Sequence, residues 1–428
     1  MESITDKNQE FISPGKTKKS QSAKAFKLNP FDPEFHANPY PTYHRLRLEE
    51  PVHRNFLGSW VLTRYADVKA VLRSPRFRSD NLPQRLKDKN PYLKNQQKNL
   101  DALAENTSKW LLHLEPPDHT RLRGVVGKAF SAGMIECMRP QIQEIVDELI
   151  GNVQHRGSMD IISELARPLP VRVISRMLGV PIEIQNQVYQ WANDISGILD
   201  PLNSLETLAH MNGVILEFSE SFRKLIAERE REPKEDLIST LVAAKNQGGK
   251  FSDSELLSVC MLLFATGEET TVNLIGNGMM ALLHHPAQME RLKREPIIIQ
   301  SAVEELLRYD SPIQRIARIA TEDVEIGGEK IAAGEQVILY LGAANRDPAQ
   351  FPDPDRLDLT RSDNHHLAFA DGIHNCLGAA LARVEAQIAN NTLVQRLPDL
   401  KLQTDTLEWR KNIALRGLKA LPVTFTSD

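Results

Sequence analysis

Apolar residues in this chain recur mostly at helical spacing. Periods near 3.6 run over 120–153, 171–178, 183–199, 205–231, 237–245 and 253–284, with Pro201 separating two of these stretches. Alternating patterns are fewer and shorter. Val52 to Leu57, a Gly58 turn and Trp60 to Tyr65 predict a hairpin, and 66–73 a short helix after it. Val324 and Ile326, then Gly327-Gly328, then Ile331 predict a second hairpin, followed by a strand over 337–341. Residues 75–110 are polar, carry Pro83 and Pro91, and read as irregular. No repeat of 20–50 residues is present. The expected fold is mainly α with small β-sheets.

Composition narrows this little. The chain has 428 residues, 41% hydrophobic and 25% charged, as soluble globular proteins do. Residues 1–28 differ. Lys16, Lys18, Lys19, Lys24 and Lys27 stand among polar residues, which predicts a disordered basic tail without the apolar core of a signal peptide. Residues 29–428 read as one large domain. No apolar run reaches 18 residues, so no membrane span is expected. Three cysteines, Cys137, Cys260 and Cys376, make no disulfide framework and lack zinc-site spacing, which suits a reducing cytoplasm. A net charge of −4 argues against nucleic acid as the main partner.

Two short stretches carry candidate chemistry. In Phe369-Ala370-Asp371-Gly372-Ile373-His374-Asn375-Cys376-Leu377-Gly378, a turn precedes a cysteine at the expected start of a helix rich in small residues. A helix N-terminus favours an anion, so Cys376 is expected to hold a lowered pKa and to act as a nucleophile or metal ligand. The plainer alternative is an inert buried cysteine. The second stretch, Phe264-Ala265-Thr266-Gly267-Glu268-Glu269-Thr270-Thr271, lies inside the helical run 253–284. A glycine there costs about 1 kcal/mol relative to alanine, and threonine hydroxyls bond back to the preceding turn. A weakened, widened helix with an acid and a hydroxyl suits proton relay; an imperfect core helix with an exposed Glu pair is the alternative.

The cysteine stretch resembles the ligand signature of the cytochrome P450 family, Phe-Gly-x-Gly-x-His-x-Cys-x-Gly. Five of its six defined positions match, and Ala370 replaces a usual glycine. The second stretch resembles the family's Ala/Gly-Gly-x-Asp/Glu-Thr-Thr, with Thr266 at a position usually small. Glu305-x-x-Arg308 resembles the family's internal ion pair, with Arg356 implied as its third member. Pro116 to Arg123 is similar to the family's propionate-binding helix start. The motifs stand in the family's order from about residue 30 to 425.

The resemblance implies a cytochrome P450 fold, a single triangular haem domain. It implies haem b held by the Cys376 thiolate, with O2 as co-substrate. Glu269 and Thr270 would deliver protons, and His119, Arg123, Arg318 and His374 would face the propionates, with Arg315 an alternative to Arg318. Phe264, Ala265, Ile313 and Ile316 would line a substrate pocket together with parts of 80–110 and 190–215. The implied activity is a soluble monooxygenase acting on an apolar substrate, a polyketide or other secondary metabolite. Fatty-acyl hydroxylation, a peroxygenase or isomerase on the same fold, and a haem carrier are the alternatives. Electrons would come from a separate ferredoxin or flavodoxin and its NAD(P)H-dependent reductase, because the chain ends soon after the haem region. Arg121, Lys128 and Arg383 would form a basic docking face for that carrier.

Overall fold

The structure is a computed structural model that describes residues 28–79, 81–246, 252–404 and 406–427. The expected tail over 1–27 lies outside the described residues. Leu28, placed in that tail by the sequence, is buried against Tyr40, Tyr43 and Leu46.

The fold is built on one long helix, Asp253–His284. It starts with a capping box: the Ser252 hydroxyl accepts from the Glu255 N–H, and the Glu255 carboxylate accepts from the Ser252 N–H. Most of its residues are buried, on all sides. A helix apolar all round belongs in a core. The helices Pro168–Leu178, Leu205–Arg231, Ile299–Tyr309 and Ala379–Arg396 pack around it. Among the described residues, no helix is long and apolar enough to cross a membrane.

The sheets are small and peripheral. In chain order the strands are β1 (Val52–Arg54), β2 (Trp60–Leu62), β3 (Phe77–Ser79), β4 (Ser158–Asp160), β5 (Arg315–Ala320), β6 (Val324–Ile326), β7 (Glu329–Ile331), β8 (Gln336–Tyr340), β9 (Lys401–Leu402) and β10 (Pro422–Thr424). They form a five-stranded sheet in the order β1-β2-β8-β5-β3, a three-stranded sheet β4-β10-β9 and the hairpin β6-β7. Both hairpins read from the sequence are present.

Two stretches differ from their sequence reading. The pattern over 120–153 is two helices, Asp118–Ala129 and Ala132–Gly151. Ser131 turns extended between them (φ −64°, ψ 148°), while the apolar spacing runs on across the break and hides it. The stretch 75–110 is not irregular. It holds β3, the helix Leu82–Lys89, a 3-10 segment Asn90–Gln96 and the helix Asp101–Thr107. Leu82, Leu86, Leu93, Leu100 and Leu103 are its buried apolar face. Pro83 reads as a breaker, yet it occupies the first turn of its helix, where no N–H is needed.

A buried ion cluster ties the helix Ile299–Tyr309 to the segment leading to Cys376. Glu305 and Arg308 are wholly buried, and Arg308 donates Nε and Nη2 to the two Glu305 oxygens at 2.8 Å each. Arg308 also donates to the carbonyls of Asn345 and Pro354. The third member of the cluster is Arg361, not Arg356. Arg361 Nε reaches Glu305 Oε2 at 3.1 Å, whereas the Arg356 side chain is 66% exposed and faces Asp358. The Arg356 backbone carbonyl, not its guanidinium, serves the cluster by accepting from Arg308.

The cysteine loop carries one strained residue. Ala370 has φ +56°, the left-handed region that glycine enters without penalty. Replacing Ala370 by Gly is expected to stabilise the protein by about 1 kcal/mol, read as a higher midpoint in denaturant; an unchanged or lower midpoint contradicts the strain. For the ion cluster, Arg361→Ala is expected to cost about 2 kcal/mol by removing a charged hydrogen bond from a buried carboxylate. Arg356→Ala should stay within about 0.5 kcal/mol. Equal losses in the two variants would return Arg356 to the cluster.

Candidate functional site

Cys376 is presented by a loop closed on itself. Its N–H donates to the Phe369 carbonyl at 3.0 Å, and the Ala370 N–H donates to Leu367 at 2.9 Å. Gly372 (φ +72°) packs on the helix Tyr65–Arg73 so tightly that a Cβ would stand 2.4 Å from the Leu72 carbonyl oxygen. Arg73 pairs with Asp371 at 2.9 Å and fixes the same contact. Behind the loop, the Arg383 guanidinium stacks 4.5 Å from the Phe369 ring centre while bound to Glu304.

The helix begins at Ala379 with Gly378 as its cap, so Cys376 lies just before it. The expected lowering of its pKa is not found. Burial pushes the thiol up, against the opposing pull of the Gly378 N–H and of Arg123 and Arg383. The thiolate needs a further positive charge at sulfur. Cys376 has exposed surface, and that surface opens onto an internal cavity.

The cavity has a volume of about 370 Å³. Cys376, Leu377 and Gly378 form part of one wall, and the long helix contributes Leu262, Leu263, Thr266, Gly267, Thr270 and Thr271. Ile313, Ile316 and Ala317 line it as expected, with Leu82 and Arg85 from the misread segment and Ile198, Leu199 and Pro201. Phe264 and Ala265 do not line it. Phe264 is instead buried against Phe218 and Phe222. Each residue turns a helix by 100°, so one step in assignment changes the face.

Thr266 and Thr270 both donate their hydroxyls to the carbonyl four residues back, at 2.8 Å. The segment nonetheless stays α-helical, without the expected widening. Thr270 faces the cavity. Glu269 is buried and reaches instead toward the C-terminal loop, where Arg410 Nη1 stands 3.8 Å away. Burial, helped by Glu268, pushes Glu269 up to about 8. Glu268 is likewise pushed up by burial, to about 7, with Arg167 opposing at 3.9 Å. Both acids are therefore buried, where an exposed pair was the alternative. Glu385 was not singled out by the sequence, yet it lines the cavity and burial raises it to about 8.

A cationic rim adjoins the cysteine loop. His119 and His374 stack edge to face, 4.7 Å between ring centres; His119 is buried and His374 partly so. Burial and then the charges of His374 and Arg123 push His119 down to about 4. His119 Nε2 and His374 Nδ1 are buried without a hydrogen-bond partner among the described residues. Arg123 and Arg318 line the cavity beside His374. Orphaned imidazole nitrogens beside two guanidiniums fit a group that carries carboxylates. Among the described residues no cluster of three or more His, Cys, Asp or Glu could hold a metal ion. A sulfur ligand without such a cluster fits an iron whose other donors come from a macrocycle.

The basic docking face is largely engaged. Arg121 binds Asp118 and Glu255, and Arg383 binds Glu304; Lys128 is exposed.

The sequence and fold match known proteins throughout. The family model described as Cytochrome P450 matches residues 78–418. The polyketide biosynthesis cytochrome P450 PksS of Bacillus subtilis is 40% identical over 409 residues, 93% of this chain and 98% of the relative. The cytochrome P450 monooxygenase PikC of Streptomyces venezuelae is 39% identical over 400 residues, 91% of this chain and 92% of the relative. The crystal structure of P450BioI in complex with hexadec-9Z-enoic acid ligated acyl carrier protein superposes with a TM-score of 0.86 at 41% identity, covering 92% of this chain and all of that one. A cysteine loop, a threonine-bearing helix across a cavity and a cationic rim are what such an extended match requires, and the chain belongs to the cytochrome P450 family of haem-thiolate monooxygenases that use O2.

Proposed function

We propose that this monooxygenase inserts one oxygen atom from O2, by hydroxylation or epoxidation, into a polyketide or another apolar secondary metabolite. The observation that carries the reading is the cavity itself, apolar around Leu262, Leu263, Ile313 and Ile316 and bounded by Cys376 and Thr270. The name of PksS supports the polyketide class. A fatty-acyl substrate, free or carrier-bound, is the second reading. It is favoured by Arg85 and Arg315 in the lining, which offer charge to a carboxylate or phosphate, and by the acyl carrier protein bound to P450BioI.

Cys376 would ligate the iron in this reading, and His119, Arg123, Arg318 and His374 would hold the propionates. The haem in this reading is haem b. When bound, the haem-thiolate iron activates O2, and electron density from sulfur favours cleavage of the O–O bond. Thr270 holds a proton donor at the cavity wall, and Glu269 restores it from behind. Retention of this pair favours O2-dependent turnover over a peroxygenase or isomerase. Electrons come from a separate ferredoxin or flavodoxin with its NAD(P)H-dependent reductase. Lys128 remains the available cation of the docking face. The protein works in the cytoplasm.

Substrate class is tested by titrating macrolactones, fatty acids and small terpenes while reading the haem spin state. Macrolactones are expected to give the largest shift; a response to terpenes alone would sink the polyketide reading. The acid role has its own test. Glu269→Gln should slow product formation by about 100-fold, the scale of a lost general acid. Because burial raises Glu269 to about 8, its acid form persists through neutral pH and is lost above that value. The ratio of product to NAD(P)H consumed is therefore expected to hold from pH 6 to about 8 and to fall at higher pH. A ratio that stays flat well above pH 8 contradicts the assignment.

A further inference from the structure

The segment over residues 82–98 walls the cavity on its inner side and is cationic on its outer side. The helix Leu82–Lys89 places Leu82 and Arg85, three residues apart, in the cavity lining. Arg85 is also partly exposed, so the wall reaches the surface there. Lys87 lies about 200° further round the helix than Arg85, and it is exposed to solvent. The wall is therefore one helix thick, about 10 Å.

Residues 82–98 carry Arg85, Lys87, Lys89, Lys94 and Lys98 against the single acid Asp88, in a chain whose net charge is −4. Lys94 and Lys98 are exposed like Lys87, and Lys89 partly so. None of these four lysines has an ion-pair partner among the described residues. The acids nearby are already engaged. Asp88 accepts from the Gln84 amide at 2.8 Å, Asp101 accepts from the Asn90 amide at 2.6 Å, and Glu105 pairs with Lys109 at 2.9 Å. Arg223, exposed on the helix Leu205–Arg231, adds its charge to the same face, since it and Lys87 both act on Glu105. Arg85 and Lys89 stand one helical turn apart, a like-charged pair that disfavours the helix. The charge of Arg85 adds to burial in lowering Lys89. A helix C-terminus favours cations, which accounts for Lys87, Lys89 and Lys94 but not for Lys98 or Arg223.

We propose that this face docks an acidic carrier protein that delivers the substrate on a covalent prosthetic arm. The proposal rests on the carrier-bound form of the fatty-acyl reading above. Charge complementarity selects an acidic partner. A bilayer is a poorer fit, because the one large apolar side chain exposed on the segment is Tyr92, whereas a helix seated in a membrane presents a whole apolar face. A tyrosine suits a protein interface, where aromatic residues are enriched. An arm as long as about four extended residues, at about 3.5 Å each, exceeds the thickness of the wall. The acyl chain then lies inside the cavity with its tethered end toward Arg85. The phosphodiester that joins such an arm to its carrier is itself an anion and meets the same cations.

The probes are hexadec-9Z-enoic acid free in solution and the same acid thioester-bound to an acyl carrier protein. Each is titrated into the holoenzyme while the haem spin state is read. The double variant Lys87→Glu, Lys94→Glu is expected to weaken binding of the loaded carrier by about tenfold or more and to leave the free acid unchanged. Replacing both lysines by arginine keeps the charge and should keep the affinity. Salt at about 0.5 M should weaken the loaded carrier far more than the free acid. Unchanged affinity for the loaded carrier in the charge-reversed variant, or an equal loss for both probes, would overturn the docking face. A loss confined to binding of anionic vesicles, or to reduction by a ferredoxin, would overturn it too and assign the face to lipid or to the electron carrier. A spin response to neither probe, with macrolactones still responding, would instead remove the fatty-acyl reading and the docking that rests on it.

Discussion

Glu305 is a carboxylate with no exposure to solvent, and the organisation of the cysteine side of the cavity depends on satisfying it. Two nitrogens of Arg308, one of Arg361, the Asp358 N–H and the Asn364 amide all donate to it. A charge taken from water is tolerated only when it is paired and its remaining lone pairs are filled. Here the donors come from one helix and from the irregular segment 345–364. Folding that segment in any other way would strand Glu305. The segment in turn leads directly into the loop that presents Cys376, so a buried ion pair remote from the chemistry sets where the sulfur stands.

The cavity is a hollow in an otherwise close-packed interior, and its walls do different electrostatic work. Burial pushes several of the ionisable groups around it toward neutrality. It raises Glu269, Glu385 and the Cys376 thiol, and it lowers His119. In the proposed reading this suits Glu269, whose neutral acid form would donate a proton at neutral pH. For Cys376 and the histidine rim it marks charges that the protein leaves to be supplied. In the proposed reading, an iron would provide the positive charge at sulfur and propionates the negative charge at the rim. The protein is thus electrostatically complementary to a group of known polarity at both places.

How these features were legible differs from residue to residue. Cys376, Thr270 and the Glu305–Arg308 spacing stand in short local strings whose meaning depends on neighbours within a few positions. The long helix 253–284 and both hairpins follow from periodicity and turn residues, which are also local. Ala370 is instructive in the same way: a single substitution in the string pointed to its loop, but only the backbone torsion says that the methyl group sits in the left-handed region.

What the chain alone determined was therefore the family, the class of chemistry and the main helices, because these are written in contiguous residues. The tertiary structure decided the rest. It selected Arg361 over Arg356 because the segment after residue 345 turns one guanidinium inward and the other out. It took Phe264 out of the cavity lining, because Phe218 of the helix Leu205–Arg231 packs against its ring. It showed helices in 81–107, where buried leucines are diluted by polar residues and prolines. It raised the Cys376 thiol where the position near a helix start suggested the opposite, because desolvation outweighs the N–H and guanidinium contributions. Each of these depends on which distant segment packs against the residue, and no local pattern carries that information.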